Sequence, residues 1–208
     1  MLASDILENK DGLEKVLANK LDALVSFLNN LKNAAVALSG GVDSSLLAVV
    51  TYRVLGSQMT AFTIQSPVDD KEGCLIAADL AQEFGFPHII IEYNDLENPA
   101  FTANPPDRCY HCKIARFKKI AERAKPLGIT NLLEGSNADD SLDYRPGKKA
   151  ILEMGGLSPL AEVGLSKPEI RELAYKLGIS VWNRPSMPCL ATRVPYGKTI
   201  TYDNIKSI

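Results

Sequence analysis

The sequence predicts an α/β protein built on a doubly wound parallel sheet. Short apolar runs of strand length alternate with stretches whose apolar residues recur at helical spacing, which gives a βαβαβ pattern followed by a fourth strand. Parallel strands need a crossover long enough to hold a helix, and such crossovers are right-handed. Ligands of these folds bind at the carboxyl ends of the strands, so the residues that follow each strand are the candidate functional residues.

The elements follow one another in a regular order. The predicted strands are residues 34–38, 59–64, 88–93 and 131–136. The third of them, HIIIEY, is mostly apolar, which is typical of a buried parallel strand. The predicted helices run from about residue 44 to 54, from about 77 to 84 and from about 110 to 124. Ser166 and Glu169 form a capping box that opens one more helix.

An amphipathic helix precedes the first strand. Its leucines recur at spacings of three and four, and they are Leu17, Leu21, Leu24, Leu28 and Leu31. A stripe of this kind is typical of a helix that covers a sheet. We therefore expect an N-terminal helical segment at residues 1–32, a main domain at residues 33–185 and the start of a C-terminal segment at residues 186–208.

Composition limits the classes of function. The chain has 208 residues, of which 46% are hydrophobic and 23% charged, enough for one sizeable core. A net charge of -2 gives no electrostatic case for a dedicated nucleic-acid binder, and no stretch approaches the roughly 18 apolar residues of a membrane span. The N-terminus lacks a basic-then-apolar signal pattern, so we expect a cytoplasmic protein whose four cysteines stay reduced.

The first predicted strand ends in a loop with the sequence SGGVDSS, residues 39–45. It lacks the Gly-Lys-Ser/Thr of a Walker A loop and the third glycine of the dinucleotide fingerprint. Gly40 and Gly41 still allow close backbone approach, and the following helix points its positive end at an anion. The hydroxyls that can donate to phosphate belong to Ser39, Ser44 and Ser45. Asp43 would repel a pyrophosphate unless a divalent cation lay between them, so we expect Mg²⁺ there.

This loop resembles the PP-loop of the ATP pyrophosphatases, which cleave ATP to AMP and pyrophosphate and adenylylate a substrate oxygen. Two longer stretches, EGSNADDSLDYRPG at residues 134–147 and PCLATRVPYG at residues 188–197, resemble the LarE family. These ATP-dependent sulfur transferases make the nickel-pincer nucleotide cofactor of lactate racemase. The resemblance extends over nearly the whole chain from about Leu13 onward.

The resemblance implies a fold and a reaction. The fold is that of the adenine nucleotide alpha hydrolases, with residues 33–185 as the PP-loop ATP pyrophosphatase domain and with ATP and Mg²⁺ as cofactors. The substrate is a small nucleotide, pyridinium-3,5-biscarboxylic acid mononucleotide, one carboxylate of which is adenylylated and then converted to a thiocarboxylate. The family continues beyond the equivalent of residue 208 with phosphate-binding basic residues and oligomer contacts, so we expect a homo-oligomer and a chain that is shortened relative to the family.

Three cysteines carry the expected sulfur chemistry. Cys109 and Cys112 lie three positions apart at the start of a predicted helix, and Cys189 lies in the second family motif. One branch of the family sacrifices the sulfur of the cysteine at position 189, which ends as dehydroalanine. Another branch holds a [4Fe-4S] cluster with three cysteines, and its open iron carries a sulfide to the substrate. The resemblance implies the cluster branch here, because this chain has all three cysteines, with sulfide or a sulfur-donor protein as the source.

Several alternatives stay open at this stage. The Cys109–Cys112 pair fits a zinc site or a redox pair, and His111 fits a fourth ligand. A tRNA thiolase with a PP-loop would use the same three cysteines, and the basic stretch at residues 113–125 is compatible with RNA binding. A module that binds a nucleotide without catalysis is a more distant alternative.

The remaining polar and aromatic residues have two interpretations each. Asp139 and Asp140 follow the fourth strand, where they fit either an Mg²⁺ or substrate site or a helix cap. Two arginines, Arg145 and Arg193, suit phosphate or carboxylate groups, which arginine binds in a bidentate manner. We expect core packing for the residues in apolar contexts, which are Cys74, His88 and Trp182.

Overall fold

A four-stranded, all-parallel sheet forms the centre of the protein. The computed structural model describes residues 13–141 and 146–208. The strands are β1 (Ala34–Ala37), β2 (Met59–Gln65), β3 (His88–Glu92) and β4 (Leu132–Leu133). Their order across the sheet is β3-β2-β1-β4, and every pairing is parallel. The predicted α/β fold class is therefore confirmed, and all strands end at the same edge of the sheet.

Helices connect and cover the strands. They are α1 (Lys15–Asn29), α2 (Val42–Leu55), α3 (Lys71–Phe84), α4 (Pro99–Thr102), α5 (Arg108–Ala124), α6 (Pro146–Glu153), α7 (Pro159–Glu162), α8 (Lys167–Lys176) and α9 (Tyr202–Lys206). The capping box of Ser166 and Glu169 is present at the start of α8, as the sequence predicts. None of the helices within the described ranges is both long and apolar enough to cross a membrane.

Apolar clusters lie on both faces of the sheet. On one face the leucine stripe of α1 packs with α2 and α8, and Leu24 and Leu28 are fully buried. On the other face Phe62 of β2 packs with Phe117 and Ile120 of α5. The predicted amphipathic character of α1 is therefore confirmed.

A third apolar cluster docks the end of the chain on this sheet. Ala191, Val194 and Ile200 pack against Val68, which follows β2, and against Phe101 of α4. The residues around Cys189 are thus held against the carboxyl edge of the sheet. The domain bounds at residues 32 and 185 stay a prediction.

The structure corrects two expectations about apolar residues. β3 is an edge strand in which only Ile91 is buried, and Ile90 is 42% exposed, so the prediction of a buried strand was wrong. Trp182 is 38% exposed and lies edge-on to Tyr175, with ring centroids 5.0 Å apart, so the prediction of core packing was wrong there too. An apolar context along the chain does not reveal whether another element lies beside it. His88 is half-buried, with Nε2 2.8 Å from Thr63 Oγ1.

Candidate active site

One cavity of about 510 Å³ opens at the carboxyl ends of the strands. The residues that follow β1 and β4 form one part of its wall, and the first turns of α3 and α5 form another. The wall residues from the glycine loop are Ser39, Gly41, Val42, Asp43 and Ser44. Its cysteines are Cys74, Cys109, Cys112 and Cys189. Phosphate-binding and thiol groups that are far apart in the sequence therefore share a single space.

The glycine loop touches the start of α3 through backbone atoms. Gly40 has a φ of +75°, and a Cβ atom there would lie 2.3 Å from the carbonyl oxygen of Gly73. A Cβ atom on Gly73 would in turn lie 2.8 Å from the carbonyl oxygen of Ser39. Only glycine fits at these two positions, because side chains would separate the two backbones.

Hydroxyl bonds fix the shape of this loop. Ser44 Oγ donates to the carbonyl oxygen of Gly41 at 3.0 Å and accepts from the backbone N–H of Ser39 at 3.2 Å. Ser45 is fully buried in α2, and its hydroxyl has no hydrogen-bond partner in the described part of the chain. Ser39 and Ser44 thus line the cavity while Ser45 does not, and the role of all three as phosphate donors stays a prediction.

Asp43 is held by two side chains from distant parts of the chain. One carboxylate oxygen forms an ion pair with Lys167, and the other accepts from Asn137 Nδ2 at 3.3 Å. Mg²⁺ is commonly bound by one or two carboxylates together with substrate phosphates, so a carboxylate in this cavity fits the expected ion. Lys167 balances that carboxylate in the structure.

Lys167 is a residue that the sequence argument missed. It is the first residue of α8, where the positive end of the helix dipole disfavours a cation. A lysine directly after the capping residue Ser166 is therefore a sequence feature that could have indicated a nearby carboxylate. Asp139 compensates by accepting the Lys167 backbone N–H at 2.8 Å, so it caps a helix. Its neighbour Asp140 lines the cavity.

A second ion pair in the cavity wall joins Glu134, which directly follows β4, to Lys113 of α5. Glu134 is 6% exposed, and it accepts from Lys113 Nζ at 3.0 Å and from the Ser136 backbone N–H at 3.1 Å. Burial opposes ionisation, but these donors and the Ser158 hydroxyl outweigh it, so the pKa of Glu134 lies below its ordinary value. Lys113 is therefore kept beside a charged carboxylate in the cavity wall.

Arg184 is a further cation in the cavity wall. It donates to the Gly40 carbonyl oxygen at 3.2 Å and to Asp70 Oδ2 at 2.6 Å.

Two of the three predicted sulfur-bearing residues are half-buried, and the third is exposed. The Cys112 thiol lies 3.5 Å from Asp95 Oδ1, and the Cys189 thiol lies 3.3 Å from the carbonyl oxygen of Val68. Burial raises the pKa of both thiols above the ordinary value, so both are protonated at neutral pH. Cys109 lies exposed in the first turn of α5.

A buried ion network lies beside these thiols. Arg116 Nη2 donates to Asp95 Oδ2 at 2.6 Å and to Asp69 Oδ1 at 2.9 Å. Asp95 is fully buried, and it also accepts the Cys112 thiol, one helical turn before Arg116. No periodic pattern predicts this network, because its members belong to three separate segments of the chain.

The cysteines fit an iron–sulfur cluster in their chemistry but do not form a metal site in their present arrangement. All four cysteines are free thiols, and Cys109, Cys112 and Cys189 open into one cavity. Within residues 13–141 and 146–208, however, no three His, Cys, Asp or Glu side chains are grouped closely enough to hold a metal ion. A cluster would therefore require these thiols to move together and lose their protons.

The other residues named in the sequence analysis lie partly inside and partly outside the cavity. Cys74 lines the cavity and is partly exposed, so its expected role as a buried core residue was wrong. His111 lies 3.4 Å from Asp107 and does not line the cavity. Arg193 is exposed and reaches the carbonyl oxygen of Ile208 at 3.5 Å. Arg145 lies outside the described residues.

Comparisons with known proteins agree with this geometry. Residues 21–112 match the asparagine synthase family. An uncharacterised protein of Synechocystis sp. is 42% identical over 193 residues, which cover 93% of this chain and 72% of that protein. The pyridinium-3,5-bisthiocarboxylic acid mononucleotide synthase of Lactiplantibacillus plantarum is 35% identical over 193 residues, 92% of this chain and 70% of that one. The structure of NMN synthetase from Francisella tularensis superposes with a TM-score of 0.67 at 18% identity, over 92% of this chain and 84% of that one, and so shares the fold.

The parallel sheet, the glycine loop at the end of β1 and these relatives define an ATP-dependent enzyme of the PP-loop class. Within that class, the extended match to the Lactiplantibacillus plantarum synthase decides the family. The chain belongs to the LarE family.

Proposed function

We propose that the protein is an ATP-dependent sulfur transferase that acts on pyridinium-3,5-biscarboxylic acid mononucleotide. In this proposal a substrate carboxylate is adenylylated and then converted to a thiocarboxylate. The observation that carries the proposal is the single cavity that the glycine loop shares with Cys109, Cys112 and Cys189. The name of the Lactiplantibacillus plantarum relative supports the choice of substrate.

The first step would use the groups around the glycine loop. A carboxylate oxygen of the substrate attacks the α-phosphorus of ATP, and pyrophosphate leaves with the bonding electrons. Ser39 and Ser44 can donate to the phosphate oxygens, while Lys113 and Arg184 add positive charge to the same cavity wall. Asp43 would hold Mg²⁺ against the phosphates, after Lys167 has released its carboxylate.

The second step replaces oxygen by sulfur. The carboxylate has become an acyl adenylate, and AMP is a far better leaving group than an oxide ion. A sulfur nucleophile adds to the carbonyl carbon, and AMP departs with the electrons of the bond that breaks. The location of Cys112 and Cys189 in the wall of the same cavity supports delivery of sulfur from this side.

We extend the proposal to the way in which sulfur arrives. Cys109, Cys112 and Cys189 would bind a [4Fe-4S] cluster, which supplies an open iron able to carry a sulfide. Sacrificial loss of sulfur from Cys189 is the alternative within the family. The free state of all four cysteines suits a cytoplasmic protein that receives sulfide or sulfur from a donor protein, and a homo-oligomeric state rests on the family resemblance alone.

Release of AMP should depend on the nucleotide dicarboxylate. With ATP, Mg²⁺ and sulfide present, adding pyridinium-3,5-biscarboxylic acid mononucleotide should raise AMP and pyrophosphate formation by about two orders of magnitude over the background, because adenylyl transfer needs the carboxylate that accepts the adenylyl group. Chromatographic quantification of AMP measures this effect. Unfractionated tRNA is the parallel arm. Stimulation by tRNA together with sulfur incorporation into RNA would establish a tRNA thiolase instead, and no stimulation by either would contradict both.

A further inference from the structure

The segment that carries Cys189 is far in sequence from Cys109 and Cys112, and one buried asparagine ties the two regions together. Asn104 is completely buried and has a φ of 53°, in the left-handed region. Its Nδ2 donates toward three backbone carbonyl oxygens, those of Val194 at 3.2 Å, Pro195 at 2.9 Å and Lys198 at 3.0 Å. A single amide therefore supplies hydrogen bonds to three carbonyl oxygens of the segment that follows Cys189.

An arginine continues this contact to the cysteine pair. Arg108 is 3% exposed and is the first residue of α5, directly before Cys109. Its Nη1 donates to Asn104 Oδ1 at 2.6 Å and to the carbonyl oxygen of Ala191 at 2.9 Å. Ala191 lies two residues after Cys189. The guanidinium thus connects the start of α5, next to Cys109, with the backbone that follows Cys189.

The chemistry of Arg108 is unusual for a purely structural contact. Within the described ranges it forms no ion pair, and its hydrogen bonds go to neutral oxygens, which compensate a buried charge poorly. Its side chain lines the active-site cavity and lies over the ring of Tyr196, 5.3 Å from the centroid. Burying a cation without an ion pair costs free energy of folding. We expect such a residue beside an active-site cavity when it holds part of the cavity wall in position.

We propose that Asn104 and Arg108 are a positioning pair that docks the Cys189 segment on the start of α5 and so sets the separation between Cys189 and the Cys109–Cys112 pair. The proposal rests on the proposed function, in which the three cysteines act together. Among the described residues, the hydrogen bonds of the two side chains go to each other and to the Cys189 segment and not to the glycine loop, so we expect the pair to act on the sulfur step. Its action is indirect, through the backbone carbonyl oxygens of the docked segment.

Thiol cross-linking tests the separation directly. The chain is first reduced, then freed of the reductant and kept anaerobic with a chelator. It is then treated with dibromobimane, and mass spectrometry identifies the linked peptides. We expect wild-type protein to link Cys189 to Cys109 or Cys112.

Two variants each remove one member of the pair. Asn104→Gly keeps the left-handed backbone but removes the amide, and Arg108→Met removes the guanidinium but keeps the apolar stem. Each should slow this link and the sulfur-transfer step by about tenfold or more, the effect of a lost buried hydrogen bond. Asn104, unlike Arg108, does not line the active-site cavity, so Asn104→Gly should keep ATP–pyrophosphate exchange within about twofold of wild type.

Control variants separate positioning from folding. Asn33→Gly removes a comparable inter-segment amide, which bonds to the Gly128 carbonyl oxygen at 3.0 Å and the Thr130 N–H at 2.8 Å, and it should leave the link unchanged. Arg108→Lys should recover part of the cross-linking rate. The proposal is overturned if wild type gives no Cys189 link, if Asn104→Gly links at the wild-type rate, or if pyrophosphate exchange of Asn104→Gly falls as far as its sulfur transfer. Failure of wild type to form AMP would instead refute the proposed function and leave the cross-linking result standing.

Discussion

Replacing Asp43 with alanine is expected to lower ATP–pyrophosphate exchange by about three orders of magnitude, the scale seen when an active site loses a group that stabilises charge in the transition state. Asp43 is the carboxylate of the glycine loop, and it lies in the cavity wall. In the proposed function Mg²⁺ would then lose a protein ligand, and Lys167 and Asn137 would lose the carboxylate that they bind in the structure. Radiolabelled pyrophosphate exchange in the presence of the nucleotide substrate measures the loss.

Asp203 provides a matched control for this variant. Like Asp43, it is the second residue of a helix, but it is exposed in α9 and outside the cavity. Both substitutions remove a favourable charge from a helix N-terminus, worth about 0.3–1 kcal/mol of stability. Asp203→Ala should therefore exchange pyrophosphate at the wild-type rate. A folded Asp43→Ala protein that also did so would show that Asp43 has no part in adenylylation.

Replacing Cys109, Cys112 or Cys189 with alanine, one at a time, should remove bound iron and sulfur transfer together. Protein purified anaerobically should contain about four irons per chain, since a [4Fe-4S] cluster with three protein ligands does not tolerate the loss of one thiolate. Adenylylation should persist in each variant, because the glycine loop is intact. Iron and sulfide analysis together with AMP release measures the two effects separately.

Cys74→Ala is the control for the cysteine series. Its thiol lies in the same cavity wall, 3.9 Å from the carbonyl oxygen of Ile64, and the family resemblance gives it no part in the cluster, so iron content and sulfur transfer should both be retained. Sacrificial donation gives the opposite pattern. Cys189 alone would then be essential, and the mass of the intact chain would fall by the equivalent of H₂S after one turnover.

The sheet and the glycine loop could be predicted because their signals are local. Four apolar runs separated by helical stripes predict parallel strands, as the structure has them, and SGGVDSS lies at the end of the first run. The carboxyl ends of parallel strands meet at one edge, so the loop and the residues after β4 were expected to share a cavity. The third cysteine was linked to the other two by family resemblance and not by spacing.

The remaining site residues could not be predicted from local patterns. Lys167 pairs with Asp43 across 124 positions of the chain, and no periodicity reports on such a distant pair. Arg108 lies before the basic stretch at residues 113–125, and no local pattern marks it as a buried residue, yet it is buried. The same limit explains β3, because an apolar run is equally compatible with a central strand and with an edge strand. Tertiary packing decides each of these cases.

The nucleotide product provides the most direct test of the central claim, sulfur transfer to an adenylylated carboxylate. The protein is incubated anaerobically with ATP, Mg²⁺, sulfide and pyridinium-3,5-biscarboxylic acid mononucleotide, and the nucleotide is analysed by mass spectrometry. The proposed function predicts a new species in which one carboxylate oxygen is replaced by sulfur, formed with one AMP per sulfur. An unchanged nucleotide mass alongside AMP formation, or sulfur recovered only in added tRNA, would contradict it.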